Sequence, residues 1–283
     1  MKKYIGLGAL LAGCGGDAAG GSGTVNVAVW GEEYIERAAG IPAMTGTEVG
    51  FVDGWSVRFT KFLVSVGQVR VGATGGTPRA LPAMRVYNLH GTNGPVRVGA
   101  LTDVPARRQD LVSFRIAPPD ADSTAGNSGV TADDLTAMRR GGLSLWVEGV
   151  ATKPGRAAPV TFRWSFAHTV DYTRCELEGA FGVAVPTGGA ADIQLTVHGD
   201  HFFYDRVGDG ALLRFDDIAA ADRDRDNAVT LDELAAVDLT TLPRDRFDPG
   251  GAPNVNTLRD FVTVLSTTVG HYNGEGECTV TRR

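Results

Sequence analysis

The chain has 283 residues, 43% of them hydrophobic and 21% charged, with a net charge of −6. That acidity, with no basic tract, excludes nucleic acid as a partner. No apolar run is long enough to rest in a bilayer as a spanning helix, and the length suits one large β domain or a β domain with an appendage.

The N-terminus begins Met1-Lys2-Lys3, continues through a short apolar core from Tyr4 to Ala12, and reaches Leu11-Ala12-Gly13-Cys14. This resembles the signal peptide and lipobox of bacterial lipoproteins. The resemblance implies that residues 1–13 are removed, that Cys14 is acylated, and that its acyl chains hold the protein to a membrane. With Gly15 rather than Asp second in the mature chain, such a protein is expected in the cell envelope at the outer membrane, on its periplasmic side or surface. Cleavage takes away Lys2 and Lys3, leaving 25 basic against 33 acidic residues, a net −8. Residues 14–23, rich in glycine, read as a flexible tether.

From residue 24 the pattern turns to strands. Val25, Val27 and Val29 alternate with small or polar residues, and so do Trp55, Val57 and Phe59. There the phase slips by one and resumes at Phe62, Val64 and Val66, which predicts a bulge within one long strand. Val112, Phe114 and Ile116 keep the same period, as do Leu143, Leu145 and Val147. The clearest run is Val160, Phe162, Trp164 and Phe166, and Ile193, Leu195 and Val197 close the set. Glycine and proline clusters separate the runs, so the expected fold is mainly β: an antiparallel β-sandwich over residues 24–205. Thr131 with Asp134 reads as a capping box opening a short helix that stops at Gly141-Gly142.

Residues 206–283 read as a helical segment packed on that sandwich. Its centre is Asp222-Arg-Asp224-Arg-Asp226-Asn227-Ala228-Val229-Thr230-Leu-Asp-Glu233. A calcium ion takes six to eight oxygens, and a twelve-residue loop delivers them from positions 1, 3, 5, 7, 9 and 12. Those positions hold Asp222, Asp224, Asp226, the carbonyl of Ala228, Thr230 (directly or through water) and bidentate Glu233. Position 6 needs left-handed backbone, normally glycine, and Asn227 is the next most tolerant residue. Helical periodicity in Leu212, Phe215, Ile218 and Ala219 precedes the loop, while Thr230 with Glu233 caps a helix after it. The segment over about 211–240 is similar to EF-hand proteins, which implies Ca2+. No second loop fills the ligand positions: Thr131 stands where the partner loop starting at Asp120 needs its carboxylate. A single loop predicts a structural staple rather than a sensor. Asn256 is expected to cap a last helix striped by Leu258, Phe261, Val262, Leu265 and Val269.

With Cys14 acylated, Cys175 and Cys278 remain, and in an exported protein such a pair most simply forms a disulfide. Two thiolate metal ligands or two free thiols are the alternatives. Five histidines occur, and His198-Gly-Asp200-His201 ends the last strong strand while His168 ends the best alternating run. Imidazole suits copper or zinc, so His168, His198 and His201 form a candidate second metal site. Their alternative is that each is a hydrogen-bonded polar cap on a strand end.

Phe62-Leu-Val-Ser-Val-Gly-Gln-Val-Arg-Val71, Leu145-Trp-Val-Glu-Gly149 and Phe162 through His168 to Cys175 resemble, in the same order, strands of MbnP-like copper-binding proteins. That family is exported, β-rich and linked to methanobactin operons. Ala167 separates His168 from the preceding aromatic, so the family's copper ligands do not carry over to residues here. No Gly-x-Ser-x-Gly elbow, phosphate-binding P-loop or His-Glu-x-x-His pair occurs, and the chain reads as a binding or structural protein rather than an enzyme. Nothing in the sequence names a protein partner.

Overall fold

The computed structural model describes residues 20–36, 38–46, 49–243 and 245–283. The signal peptide and Cys14 lie outside the described residues. The described chain is mainly β, 43% strand against 15% helix. In chain order the first elements are β1 (Ser22–Trp30), α1 (Glu32–Glu36), β2 (Ser56–Gly72), β3 (Arg79–Asn88), β4 (Val96–Pro105) and β5 (Arg108–Gln109). Then come β6 (Leu111–Ile116), β7 (Thr124–Ala125), α2 (Ala132–Gly141), β8 (Leu145–Thr152), β9 (Val160–Phe166), β10 (Val170–Leu177), β11 (Ala180–Phe181), β12 (Val183–Ala184) and β13 (Ala190–Val197). The last part holds α3 (Asp216–Ala219), β14 (Ala228–Thr230), α4 (Leu231–Ala235), α5 (Leu258–Leu265), β15 (Gly270–Tyr272) and β16 (Glu277–Arg282).

One sheet has the order β15-β13-β1-β4. A larger one runs β11-β10-β6-β2-β8-β9-β14, with β16 also on β10 and β3 on β2. The long β2 organises the larger sheet. Its first half pairs with β8 and its second half with β6, while β3 takes the other edge. The register shifts between Phe59 and Lys61, where the hydrophobic phase slips in the sequence. The extra residue keeps Val57, Phe59, Phe62, Val64 and Val66 all buried despite the change of parity.

The sheets are mixed, not purely antiparallel as the sequence pattern predicts. β1 runs parallel to β13, and β14 runs parallel to β9. Hairpins force antiparallel neighbours, but most of the chain separates β1 from β13, so no local turn sets their relative direction. One hydrophobic cluster takes Val25, Val27, Ile193 and Leu195 from the smaller sheet together with Phe59, Val64, Phe162 and Trp164 from the larger. A second, smaller cluster joins Leu63, Val86 and Trp146 to Met138 of α2. That helix starts at Thr131 with the expected capping box to Asp134 and ends at Gly142, whose φ of 58° suits glycine.

The segment 206–283 is less helical than its sequence implies, because β14, β15 and β16 all join the sheets. In α5 the N-cap is Thr257, which forms a capping box with Asp260, and not Asn256. The Sγ atoms of Cys175 and Cys278 lie 2.06 Å apart, at disulfide distance, and tie β16 to β10 across 103 residues.

Candidate metal centres

The loop from Asp222 to Glu233 is held by its own backbone and by the edge of the large sheet. The amide of Asn227 donates to Asp222 Oδ2 at 3.0 Å, and the amides of Asp226 and Ala228 donate to Asp224 Oδ1 and Asp226 Oδ1. Asn227 has φ 64°, the left-handed geometry that the sixth position requires. Carboxylate oxygens of Asp222, Asp224 and Asp226 lie within 4.8 Å of one another. Asp222 Oδ1 is buried and has no hydrogen-bond partner among the described residues.

Val229, fully buried, turns into the core. Around it, β14 adds to β9 as a parallel edge strand, the Thr161 amide donates to the Asn227 carbonyl at 2.8 Å, and Trp164 Nε1 donates to the Val229 carbonyl at 2.9 Å. The single loop therefore finds on the sheet the strand partner that a second loop would otherwise supply. Glu233 is not among the carboxylates that gather within 4.8 Å, and both it and Thr230 are engaged in a capping box. Glu233 caps α4, accepting from the amide and hydroxyl of Thr230, while its Oε1 accepts from the Arg223 amide at 3.2 Å. That last bond places the carboxylate next to the first peptide of the loop.

The second candidate site differs from the trio read from the sequence. The structure brings His198 and His201 together, their ring centroids 5.3 Å apart, but pairs them with His271, which lies 4.2 Å from His198 and 5.0 Å from His201. His168 is engaged elsewhere. Ser266 gives its proton to the Thr263 carbonyl, so it must accept from His168 Nε2 at 2.9 Å. His168 Nδ1 lies 3.2 Å from Ser144 Oγ, and the ring stacks on Phe166. Burial pulls its pKa down to about 4, so the ring is a neutral bridge between two serines rather than a ligand. The alternating run of β9 puts His168 in register with the core, and that register is why it is a packed residue.

His271 carries no motif in the sequence. The available signals are Gly270 before it, where a Cβ would fall 2.5 Å from the Tyr172 ring, and Cys278 after it, which returns the tail to β10. Through β15 the backbone of His271 pairs with Thr196, two residues before His198. Asp200, 5% exposed, completes the group: Tyr204 donates to its Oδ2 at 2.8 Å, and its Oδ1 has no hydrogen-bond partner among the described residues. Burial lowers His201 well below the ordinary histidine value, helped by His271 and His198, and brings His271 to about 4. Burial raises Asp200 and Glu32, against the opposing pull of His198 on each. A cavity of about 340 Å³ reaches His201 and His271, with Tyr204, Glu275 and Glu277 in its wall.

No protein-family model matches the chain, and no curated protein or solved structure matches it either.

Proposed function

We propose that this is an exported, lipid-anchored protein of structural or binding role, in which one Ca2+ stabilises a helix-loop-helix of the EF-hand kind against a β-sandwich. The observation that carries this reading is the convergence of Asp222, Asp224 and Asp226 within 4.8 Å around a buried, unpartnered Asp222 oxygen. Three carboxylates so close repel one another, and a hard divalent cation removes that cost. Asp222, Asp224, Asp226 and Glu233 supply charge, Ala228 supplies its carbonyl, and Thr230 completes the shell once Glu233 leaves the cap. The isolated loop fits a staple with a dissociation constant of about 10⁻⁴–10⁻³ M, the range of extracellular modules. The sandwich reading rests on the single cluster shared by the two sheets. Export is supported by the paired cysteines, which persist in oxidising compartments.

The test is thermal unfolding of the full chain in saturating calcium and in chelator. Calcium at about 100 times its dissociation constant stabilises by about 2.7 kcal/mol, which raises Tm by about 5–10 °C. Glu233→Gln and Asp222→Ala lose that gain, and in chelator they fall below the parent by less than the calcium gain, Asp222→Ala by the bond from the Asn227 amide. Equal losses in both conditions refute the role of the ion.

A further inference from the structure

We propose that His198, Asp200, His201 and His271 form a binding site for one divalent transition ion of the zinc class, separate from the calcium loop. The argument is a count of protons. The Gly274 carbonyl lies 3.3 Å from His198 Nε2 and can only accept, so that nitrogen carries a hydrogen and Nδ1 is the nitrogen left to bind an ion when the ring is neutral. The hydroxyl of Thr268 donates to the Leu265 carbonyl at 2.8 Å, so it accepts from His201 Nδ1 at 2.9 Å and leaves the lone pair on Nε2. Asp200 is turned by Tyr204, which occupies Oδ2 and leaves Oδ1 buried without a partner. His271 Nδ1 is likewise buried without a hydrogen bond among the described residues, 3.8 Å from Glu277 Oε1.

Atoms able to bind a metal therefore lie near one another without a hydrogen bond between them. His198 Nδ1 and Asp200 Oδ1 are 3.9 Å apart, too long for a hydrogen bond. They are closer than roughly 4.2 Å, twice the distance from zinc to nitrogen or oxygen, so one ion fits between them. A ligand atom from each of His198, Asp200 and His201 lies within 4.8 Å of the others. Three imidazoles and a carboxylate suit zinc rather than calcium, which takes oxygen ligands.

The outer partners are those that metal-bound histidines use: a carbonyl with Glu32 Oε1 at 3.7 Å behind His198, and a hydroxyl behind His201. The cavity beside His201 and His271 is the entry path, and Glu275 and Glu277 on its wall draw cations toward it.

Zn2+ titrated calorimetrically into the full chain is expected to bind one ion per chain, and Co2+ in its place to give the strong visible absorption of a four-coordinate site. His201→Gln and His271→Gln each lose more affinity than the roughly 10–100-fold that removal of an outer partner costs. Thr268→Val loses within that 10–100-fold range, and Thr268→Ser restores it. His168→Gln, Asp222→Ala and Glu233→Gln bind Zn2+ as the parent does, which separates this site from the calcium loop. Circular dichroism in chelator confirms that each variant is folded. The inference is overturned if the folded parent takes up no stoichiometric Zn2+, if folded His201→Gln binds as tightly as the parent, or if His168→Gln loses as much as His201→Gln.

Discussion

Trp164→Phe is the sharpest probe of how the acidic loop is attached to the sheet. Trp164 is fully buried and packs against Phe162, Phe202 and Phe203, and its Nε1 donates to the Val229 carbonyl at 2.9 Å. Phenylalanine keeps most of the apolar contact but leaves that buried carbonyl without its donor, which costs about 1–3 kcal/mol. The lost ring volume leaves a cavity of a few tens of Å³, and at about 24 cal/mol per Å³ this adds about 1 kcal/mol. The sum, about 2–4 kcal/mol, lowers Tm by about 4–16 °C for a chain of this size. The bond exists without bound ion, so the loss is as large in chelator as in calcium, unlike that of Asp222→Ala. Thermal unfolding followed by circular dichroism measures it. A shift below about 2 °C would show that the contact between β9 and β14 contributes little, and that the loop is not held by the sheet.

Three further outcomes follow from the same structure. Asn227→Val places a β-branched residue at φ 64°, a geometry present without an ion, so it lowers stability by about 1–2 kcal/mol in calcium and chelator alike, read from urea unfolding, while Asn227→Gly stays near the parent. Replacing both Cys175 and Cys278 by serine opens a link spanning 103 residues and lowers stability by about 4–5 kcal/mol in urea unfolding, to the level of the reduced parent. His168 has a folded pKa of about 4 against an ordinary value of 6.5. Its unfolded form therefore binds the proton first, and the parent loses stability as pH falls from 6.5 toward 4. His168→Gln removes up to roughly 3 kcal/mol of that slope, read from unfolding at stepped pH.

Much of the β architecture was legible because buried strands obey period two. Every apolar position of the Val160 to Phe166 run is buried, and the slip after Phe59 marks a real change of register. Both capping boxes named in the sequence, at Thr131 and Thr230, are formed. β3 and β16 were not visible, since β16 is mostly exposed and the buried residues of β3 fall at its end without a sustained alternation. Strand direction was hidden for a different reason: the parallel pairing of β1 with β13 depends on contacts between distant segments. The acidic loop was legible as local chemistry at fixed spacing. The histidine group was only half legible, because His198 and His201 are neighbours in sequence while His271 arrives through the pairing of β15 with β13. Period two placed His168 correctly at the end of a buried run, but only the Ser144 and Ser266 hydroxyls reveal that both its nitrogens are engaged.

The most direct measurement is a calorimetric titration of the full chain with Ca2+, repeated on Asp222→Ala. One ion per chain with a dissociation constant of about 10⁻⁴–10⁻³ M or tighter, and no measurable uptake by the variant, is the predicted result. Absence of calcium binding by the folded parent, or equal binding by Asp222→Ala, would contradict the assignment of Asp222, Asp224, Asp226 and Glu233 as ligands of one ion.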